Sequence, residues 1–169
     1  MSNSTYILDD TLLASSGSRF LNYILDVTFF IILFLFVVVI LGLIIGLFEL
    51  TSFGLWLDNM GDLGWNVIGV AILMFYYSTT EALFGRSLGK FITGTVVVDE
   101  NGEKPDFGTI FKRNLCRLIP FDAFSFLGGS GRGWHDTISD TYVVNKKALD
   151  EEVRMFHELR LIGVQDANN

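Results

Sequence analysis

One uninterrupted apolar stretch constrains the fold of this chain more than any other feature. Residues Val27 to Phe48 read VTFFIILFLFVVVILGLIIGLF and include no charged side chain. An apolar α-helix of about 20 residues crosses the hydrocarbon core of a bilayer, because each residue rises about 1.5 Å and the core is about 30 Å thick. The stretch therefore predicts a membrane-spanning helix and, with it, a membrane protein.

The overall composition agrees with a membrane protein. Charged residues make up 18% of the 169 residues, against about 25% in ordinary soluble domains. The single cysteine, Cys116, excludes a disulfide within this sequence, and neither histidine has the spaced partners that a metal site requires. We expect no metal, no cofactor, no nucleic-acid partner and no enzyme activity.

A second apolar run, Trp65 to Phe84, predicts a second spanning helix. No Lys or Arg occurs between Arg19 and Arg86, and every other basic residue follows Gly85. Because Lys and Arg concentrate in cytoplasmic segments, this asymmetry places both termini in the cytoplasm and the predicted loop from Glu49 to Gly64 outside. The pattern predicts a multi-pass protein, and the lack of a targeting segment suits a bacterial inner membrane.

The chain after the second span carries weaker structural signals. Residues 107–126 read helical but include several charges and Pro120, which favours a kinked helix that lies on the membrane or re-enters it. The β-type runs Thr95–Val98 and Thr141–Val144 predict a two-stranded pair. If they pair, both lie on one side of the membrane, and the segment between them cannot cross it an odd number of times.

The predicted fold is mainly α. Residues 1–18 form a cytoplasmic N-terminal segment, 19–145 a membrane domain, and 146–169 a cytoplasmic tail whose apolar spacing predicts an amphipathic helix. The membrane domain combines a two-helix transmembrane hairpin, with spans over about 20–48 and 65–84, a cytoplasmic interfacial helix and a short two-stranded β element.

Two carboxylates lie near the cytoplasmic ends of the predicted spans. Asp26 shares a helix face with Arg19 and Asn22, because offsets of three, four and seven residues return to nearly the same azimuth. Arg19 lies about 10 Å away along the helix, too far for direct contact unless it folds inward. Glu81 lies at similar depth on the second helix. The groups that could bridge or support these acids are Arg86, Arg113, Arg117, Arg132 and His135.

The burial of Asp26 in a membrane helix has a cost that the protein must meet. An ionised carboxylate is expensive in hydrocarbon, so Asp26 must pair with another group, face water or take up a proton. Asp26, Glu81 and His135 are therefore candidates to bind a proton or a cation.

These charges and the motifs after the second span resemble the RDD family of small bacterial membrane proteins, named for an arginine and two aspartates. The resemblance covers roughly Ser16 to Asn145 and rests on Arg19, Asp26, His135-Asp136, Ser87-Leu88-Gly89-Lys90, Asp99-Glu100-Asn101-Gly102, Arg113, Arg117 and Thr141-Tyr142-Val143-Val144. Two positions depart from the family pattern. Gly17-Ser18-Arg19-Phe20 lacks the usual alanine and doubled arginines, and Ser87 stands where Thr is frequent. Neither departure removes a charged residue of the motif.

Two interpretations of function follow. In the first, Arg19, Asp26 and Asp136 form a structural charge network, and the protein is an accessory or assembly subunit of a membrane complex. In the second, suggested by the transport role proposed for some RDD proteins, Asp26 and Glu81 titrate in a proton- or cation-linked transporter. Two spans cannot enclose a pathway alone, so transport requires several copies or a partner. We favour the first interpretation and expect the bilayer, further copies of this chain or other membrane subunits as partners.

Overall fold

Two long helices dominate the computed structural model, which describes residues 6–125 and 132–167. Helix α1, Ser16–Leu47, and helix α3, Gly61–Phe84, are both long and apolar enough to cross a membrane. None of the most apolar part of α1 is buried inside the protein. The first helix begins earlier than residue 20, where the predicted span starts, because Ser15 is the cap and its Oγ accepts from the Ser18 amide at 3.2 Å.

The connection between the long helices is itself largely helical, which corrects the loop predicted for residues 49–64. Helix α2 spans Thr51–Asp58. Leu57 is buried, and Gly54 approaches α1 so closely that an added Cβ would lie 3.3 Å from Ile45 Cγ2. Packing against α1 therefore outweighs the turn signals from glycine and aspartate in this segment.

A two-stranded antiparallel sheet joins distant parts of the chain, as predicted. Strand β1, Thr95–Val98, pairs with strand β2, Tyr142–Asn145, in a register that places Val97 opposite Val143. The second strand is displaced by one residue from its predicted position. A small core forms beside the sheet from Leu12, Val98, Val144 and Leu149.

Short helices surround the sheet and the ends of the long helices. They are α4, Leu88–Thr93; α5, Phe107–Cys116; α6, Asp122–Ser125; and α7, Trp134–Ile138. The helix predicted over 107–126 thus ends at Cys116 and restarts at Asp122. Pro120 accounts for the interruption, because proline lacks an amide hydrogen and disfavours helical geometry in the residue before it.

The tail forms one further helix, α8, Lys146–Ala167. Leu149 is buried beside the sheet, and the ring of Phe156 meets that of Tyr6 in an edge contact with centroids 5.6 Å apart. The predicted N-terminal segment and tail also include residues 1–5 and 168–169, which lie outside the described part of the chain.

Candidate functional site

A buried carboxylate, Asp136, joins its own helix α7 to α1 and α5. Its Oδ2 accepts from Arg19 Nη1 on α1 and, at 2.9 Å, from the Gly133 amide, while its Oδ1 accepts from Arg113 Nη1 on α5. Arg19 also donates to the Ala14 carbonyl at 3.3 Å. Burial alone would raise the pKa of Asp136, but the neighbouring cations, Arg113 first, hold that pKa well below its usual value. Asp136 is therefore an ionised anchor.

Arg113 links this anchor to the second long helix. Its guanidinium is fully buried, donates to Thr141 Oγ1 at 2.5 Å and places Nε 3.4 Å from Glu81 Oε2. Glu81 of α3 also accepts from Lys90 Nζ at 2.8 Å and from Arg117 Nη2 at 3.3 Å. A continuous chain of ion pairs therefore joins α1, α7, α5, α3 and α4.

Burial and the Glu81 carboxylate shift the pKa values of Lys90 and Arg117 in opposite directions. Burial lowers the pKa of Lys90 despite the adjacent Glu81 carboxylate. Burial also opposes the charge on Arg117, but the combined attraction of several acidic groups, Glu81 first, outweighs burial and raises the pKa of that guanidinium. The Arg117 guanidinium carbon lies 4.4 Å from the centre of the Tyr77 ring, an arrangement that adds cation–π attraction.

Asp26 lies in a second cluster, apart from the Arg19–Asp136 pair. Its carboxylate accepts from Ser87 Oγ at 2.5 Å, from the Gly89 amide at 2.8 Å and from the Tyr76 hydroxyl at 3.2 Å. The Tyr76 hydroxyl in turn accepts from the Leu88 amide at 3.1 Å. The first amides of a helix lack intrahelical partners, so Asp26 caps the start of α4 from another element.

Close packing explains why glycine stands at position 89. A Cβ added there would lie 2.5 Å from the Asn22 carbonyl oxygen and 3.0 Å from Asp26 Oδ1. Ser87 supplies the hydroxyl that reaches Asp26. Thus the Ser-Leu-Gly segment supplies neutral donors to the Asp26 carboxylate.

His135 forms a third pairing beside the anchor. Its Nδ1 lies 2.6 Å from Asp122 Oδ2, and its Nε2 lies 3.4 Å from Asp136 Oδ1. Burial, supported by the nearby positive charges of Arg117 and Arg113, lowers the pKa of His135 to about 4. At neutral pH the imidazole is therefore uncharged, and because the ionised Asp122 carboxylate can only accept, we assign the ring proton to Nδ1.

The remaining predicted basic residues lie in two places. Arg132 donates to the carbonyls of Asp136 and Thr141 at 3.3 Å, and its guanidinium carbon stacks 4.1 Å from the Tyr142 ring centre. Arg86 stacks instead on Phe91, 4.7 Å from the ring centre. Arg132 thus joins the surroundings of Asp136, whereas Arg86 is placed against an aromatic ring.

The sequence predicted one charge network of Arg19, Asp26 and Asp136, but the structure pairs Arg19 with Asp136 and gives Asp26 other partners. The face shared by Arg19 and Asp26 is real, but each residue meets a different element, since Asp26 lies two turns further along α1. The missed site residues are Tyr76, Ser87, Gly89, Lys90 and Asp122. Of these, only the Ser87 to Lys90 segment carried a recognisable sequence signal. Within residues 6–125 and 132–167, no cluster of three or more His, Cys, Asp or Glu side chains could hold a metal ion.

A cavity of about 270 Å³ lies among these clusters. One part of its wall is basic and comes from Arg19, Lys90, Arg113 and Arg117. Another part is apolar and comes from Val27, Phe30 and Leu73 on the two long helices. Asp26 and His135 also line the cavity. It therefore brings together basic, titratable and apolar side chains.

Comparison with known proteins supports the resemblance noted in the sequence. No curated protein and no solved structure gives a significant match. The model of the RDD family matches residues 13–140, a region that includes Arg19, Asp26, the Ser87 to Lys90 segment and Asp136. This match extends over most of the 169 residues, and the chain therefore belongs to the RDD family.

Proposed function

We propose that this RDD protein is a multi-pass protein of the bacterial inner membrane with both termini in the cytoplasm. The most apolar part of α1 has no protein cover, so lipid or another protein must cover it. All basic residues other than Arg19 follow Gly85, which favours a cytoplasmic position for the sheet and the short helices. The antiparallel pairing of β1 with β2 supports an arrangement in which the intervening segment stays on that side.

Within the membrane, we propose that the protein acts as an accessory or assembly subunit of a larger complex. The observation that carries this proposal is that each of the two candidate titrating acids already has three partners within the protein. Asp26 is held by three hydrogen-bond donors, and Glu81 is surrounded by three basic groups within 3.4 Å. Such an arrangement suits a fixed platform that holds two membrane helices in place for a partner.

A second candidate, proton- or cation-linked transport by an oligomer, is favoured by one observation. Asp26 and His135 both line the 270 Å³ cavity. Two helices alone leave no closed pathway, so several copies would have to assemble around it.

The mass of the complex distinguishes these candidates. The protein is extracted from its native membrane in a mild detergent, the mass of the particle is measured, and every co-purifying subunit is identified. A defined hetero-complex is expected for the accessory role. A particle of this chain alone would contradict that role and lead to a measurement of proton flux in liposomes.

In the flux measurement, the matched pair of variants is Asp26→Asn and Asp58→Asn, the latter at an exposed position on α2. A transporter loses flux in Asp26→Asn and keeps it in Asp58→Asn, with both variants folded. Flux that is absent in the unaltered protein, or insensitive to Asp26→Asn, would contradict transport through this site.

A further inference from the structure

The cavity between the long helices and α5 contains hydrogen-bond donors without acceptors. Arg113 is fully buried and lines the cavity, yet its Nη2 has no hydrogen-bond partner among the described residues. The same is true of Nε of Arg117, which also lines the cavity. Buried donors in folded proteins are almost always paired with protein or with ordered water, so the basic wall is short of acceptor atoms that a bound molecule can supply.

The acidic side chains in the cavity wall do not need a ligand that donates hydrogen bonds. Both oxygens of Asp26 and both oxygens of Asp122 already accept hydrogen bonds. Behind the wall, Glu81 Oε2 has no hydrogen bond but lies against Arg113 Nε at 3.4 Å. The unpaired hydrogen-bonding groups in the cavity wall are therefore guanidinium N–H donors. An anion can accept from them, whereas a cation cannot.

The apolar part of the wall narrows the identity of that anion. Val27 and Phe30 on α1 and Leu73 on α3 line the same cavity as the basic residues. These three side chains lie on the membrane-length helices, further from the α4 and α5 end than Asp26 and Tyr77. A ligand that fills the whole cavity thus carries an anionic group and an attached hydrocarbon portion.

The size of the cavity sets a further limit. Its volume of about 270 Å³ is just below the range of about 300–1,000 Å³ that is typical of complete small-molecule pockets. The cavity can hold a compact head group and the beginning of a chain, with the rest of the ligand outside. Phosphate oxygens match guanidinium donors in geometry, and basic pockets between membrane helices are known to hold anionic lipid head groups.

We propose that this cavity binds the phosphate group of an anionic phospholipid, with Arg113 Nη2 and Arg117 Nε donating to its oxygens. The acyl chains leave past Val27, Phe30 and Leu73, between the two long helices. Free inorganic phosphate offers the same acceptor chemistry, but only a lipid also covers the apolar wall. The proposal rests on the membrane placement proposed above and does not depend on the accessory or transport role.

Native mass spectrometry of the full-length protein in a neutral detergent tests the proposal. After removal of co-purified lipid, the protein is titrated separately with phosphatidylglycerol, with phosphatidylcholine and with inorganic phosphate. We expect one copy of phosphatidylglycerol to bind well before phosphatidylcholine does. An excess of inorganic phosphate is expected to leave that copy in place.

Three variants connect binding to the cavity. Arg117→Gln replaces the charged guanidinium, including its Nε donor, with a neutral amide and is expected to weaken phosphatidylglycerol binding about tenfold, the value of one charge-assisted hydrogen bond. Lys112→Gln is the matched control. It removes one positive charge from an exposed position on α5 that does not line the cavity. Leu73→Trp keeps every charge but fills the apolar part of the cavity, so it is expected to weaken binding of the lipid as well.

Several results would overturn the proposal. Equal losses in Arg117→Gln and Lys112→Gln would indicate general attraction to a basic surface. Unchanged binding in Leu73→Trp would remove the cavity as the site, and displacement of phosphatidylglycerol by inorganic phosphate would identify free phosphate as the ligand. Alkaline carbonate extraction of the source membranes tests the membrane placement separately, because a peripheral protein is released and an integral one is retained.

Discussion

Two buried carboxylates of this protein are stabilised in opposite ways. Asp136 is fully buried and is neutralised by two guanidinium groups, from Arg19 and Arg113. Asp26, at 2% exposure, is stabilised by the uncharged donors Ser87 Oγ, Tyr76 Oη and the Gly89 amide. We call these the Asp136 cluster and the Asp26 cluster. Both keep an acid in the interior, but the loss of the acid leaves buried charges in the first and only neutral groups in the second.

The comparison predicts its largest effect for Asp136→Ala. This change leaves the buried guanidiniums of Arg19 and Arg113 without their shared counter-charge, and breaking a buried ion pair on one side typically costs about 3–5 kcal/mol. We expect strongly reduced abundance in the membrane and a much lower free energy of unfolding in mixed detergent micelles. Asp140→Asn is the control, because Asp140 is exposed and its backbone φ of 51° suits asparagine. Comparable losses in the two variants would show that the ion pairs contribute little.

The second prediction concerns pH and His135, which contacts the Asp136 cluster. The pKa of His135 is about 4 in the folded protein, against an ordinary value of 6.5. Between these values the unfolded chain binds a proton that the folded protein does not, so stability falls as the pH falls from 6.5 to 4. The loss at the acid end is up to about 3 kcal/mol, since each pKa unit corresponds to about 1.4 kcal/mol.

Two histidine variants isolate this effect in unfolding measurements across the pH range. His135→Asn removes the titrating group while retaining a donor for Asp122, and is expected to flatten the slope between pH 6.5 and 4. His157→Asn alters an exposed residue of α8 and is expected to retain the slope. Below pH 3.8 the lowered pKa values of Asp122 and Asp136 add a further loss in both variants, because these carboxylates are then protonated first in the unfolded chain. If the slope disappears in His157→Asn but not in His135→Asn, His135 is not the source of the pH dependence.

The elements of the fold were largely predictable because they depend on local patterns. Apolar length identified α1 and α3, and β-branched runs identified β1 and β2. Helix α2 was missed because its stability comes from packing against α1, which glycine and aspartate in its sequence conceal.

The partners of individual charges were much harder to predict than the elements. Helical periodicity showed that Arg19 and Asp26 share a face, but it contains no information on what packs against each turn of that face. The partner of Asp26 is the start of α4, and the partner of His135 is Asp122. Both contacts join residues that are distant in sequence and carry no spacing signal, so only the tertiary structure reveals them.

The smallest expected effect belongs to the Asp26 cluster. Asp26→Asn preserves the shape of the side chain and one oxygen that can accept from the Gly89 amide and the Tyr76 hydroxyl, while Ser87 can turn its hydroxyl to accept from the new amide. No buried cation loses its partner, so we expect a loss of about 1–2 kcal/mol, clearly below that of Asp136→Ala in the same unfolding assay. Asp58→Asn, exposed on α2, provides the baseline for an acid-to-amide change. A loss in Asp26→Asn as large as that in Asp136→Ala would show that Asp26 also balances buried charge, in which case the two clusters would act as one network.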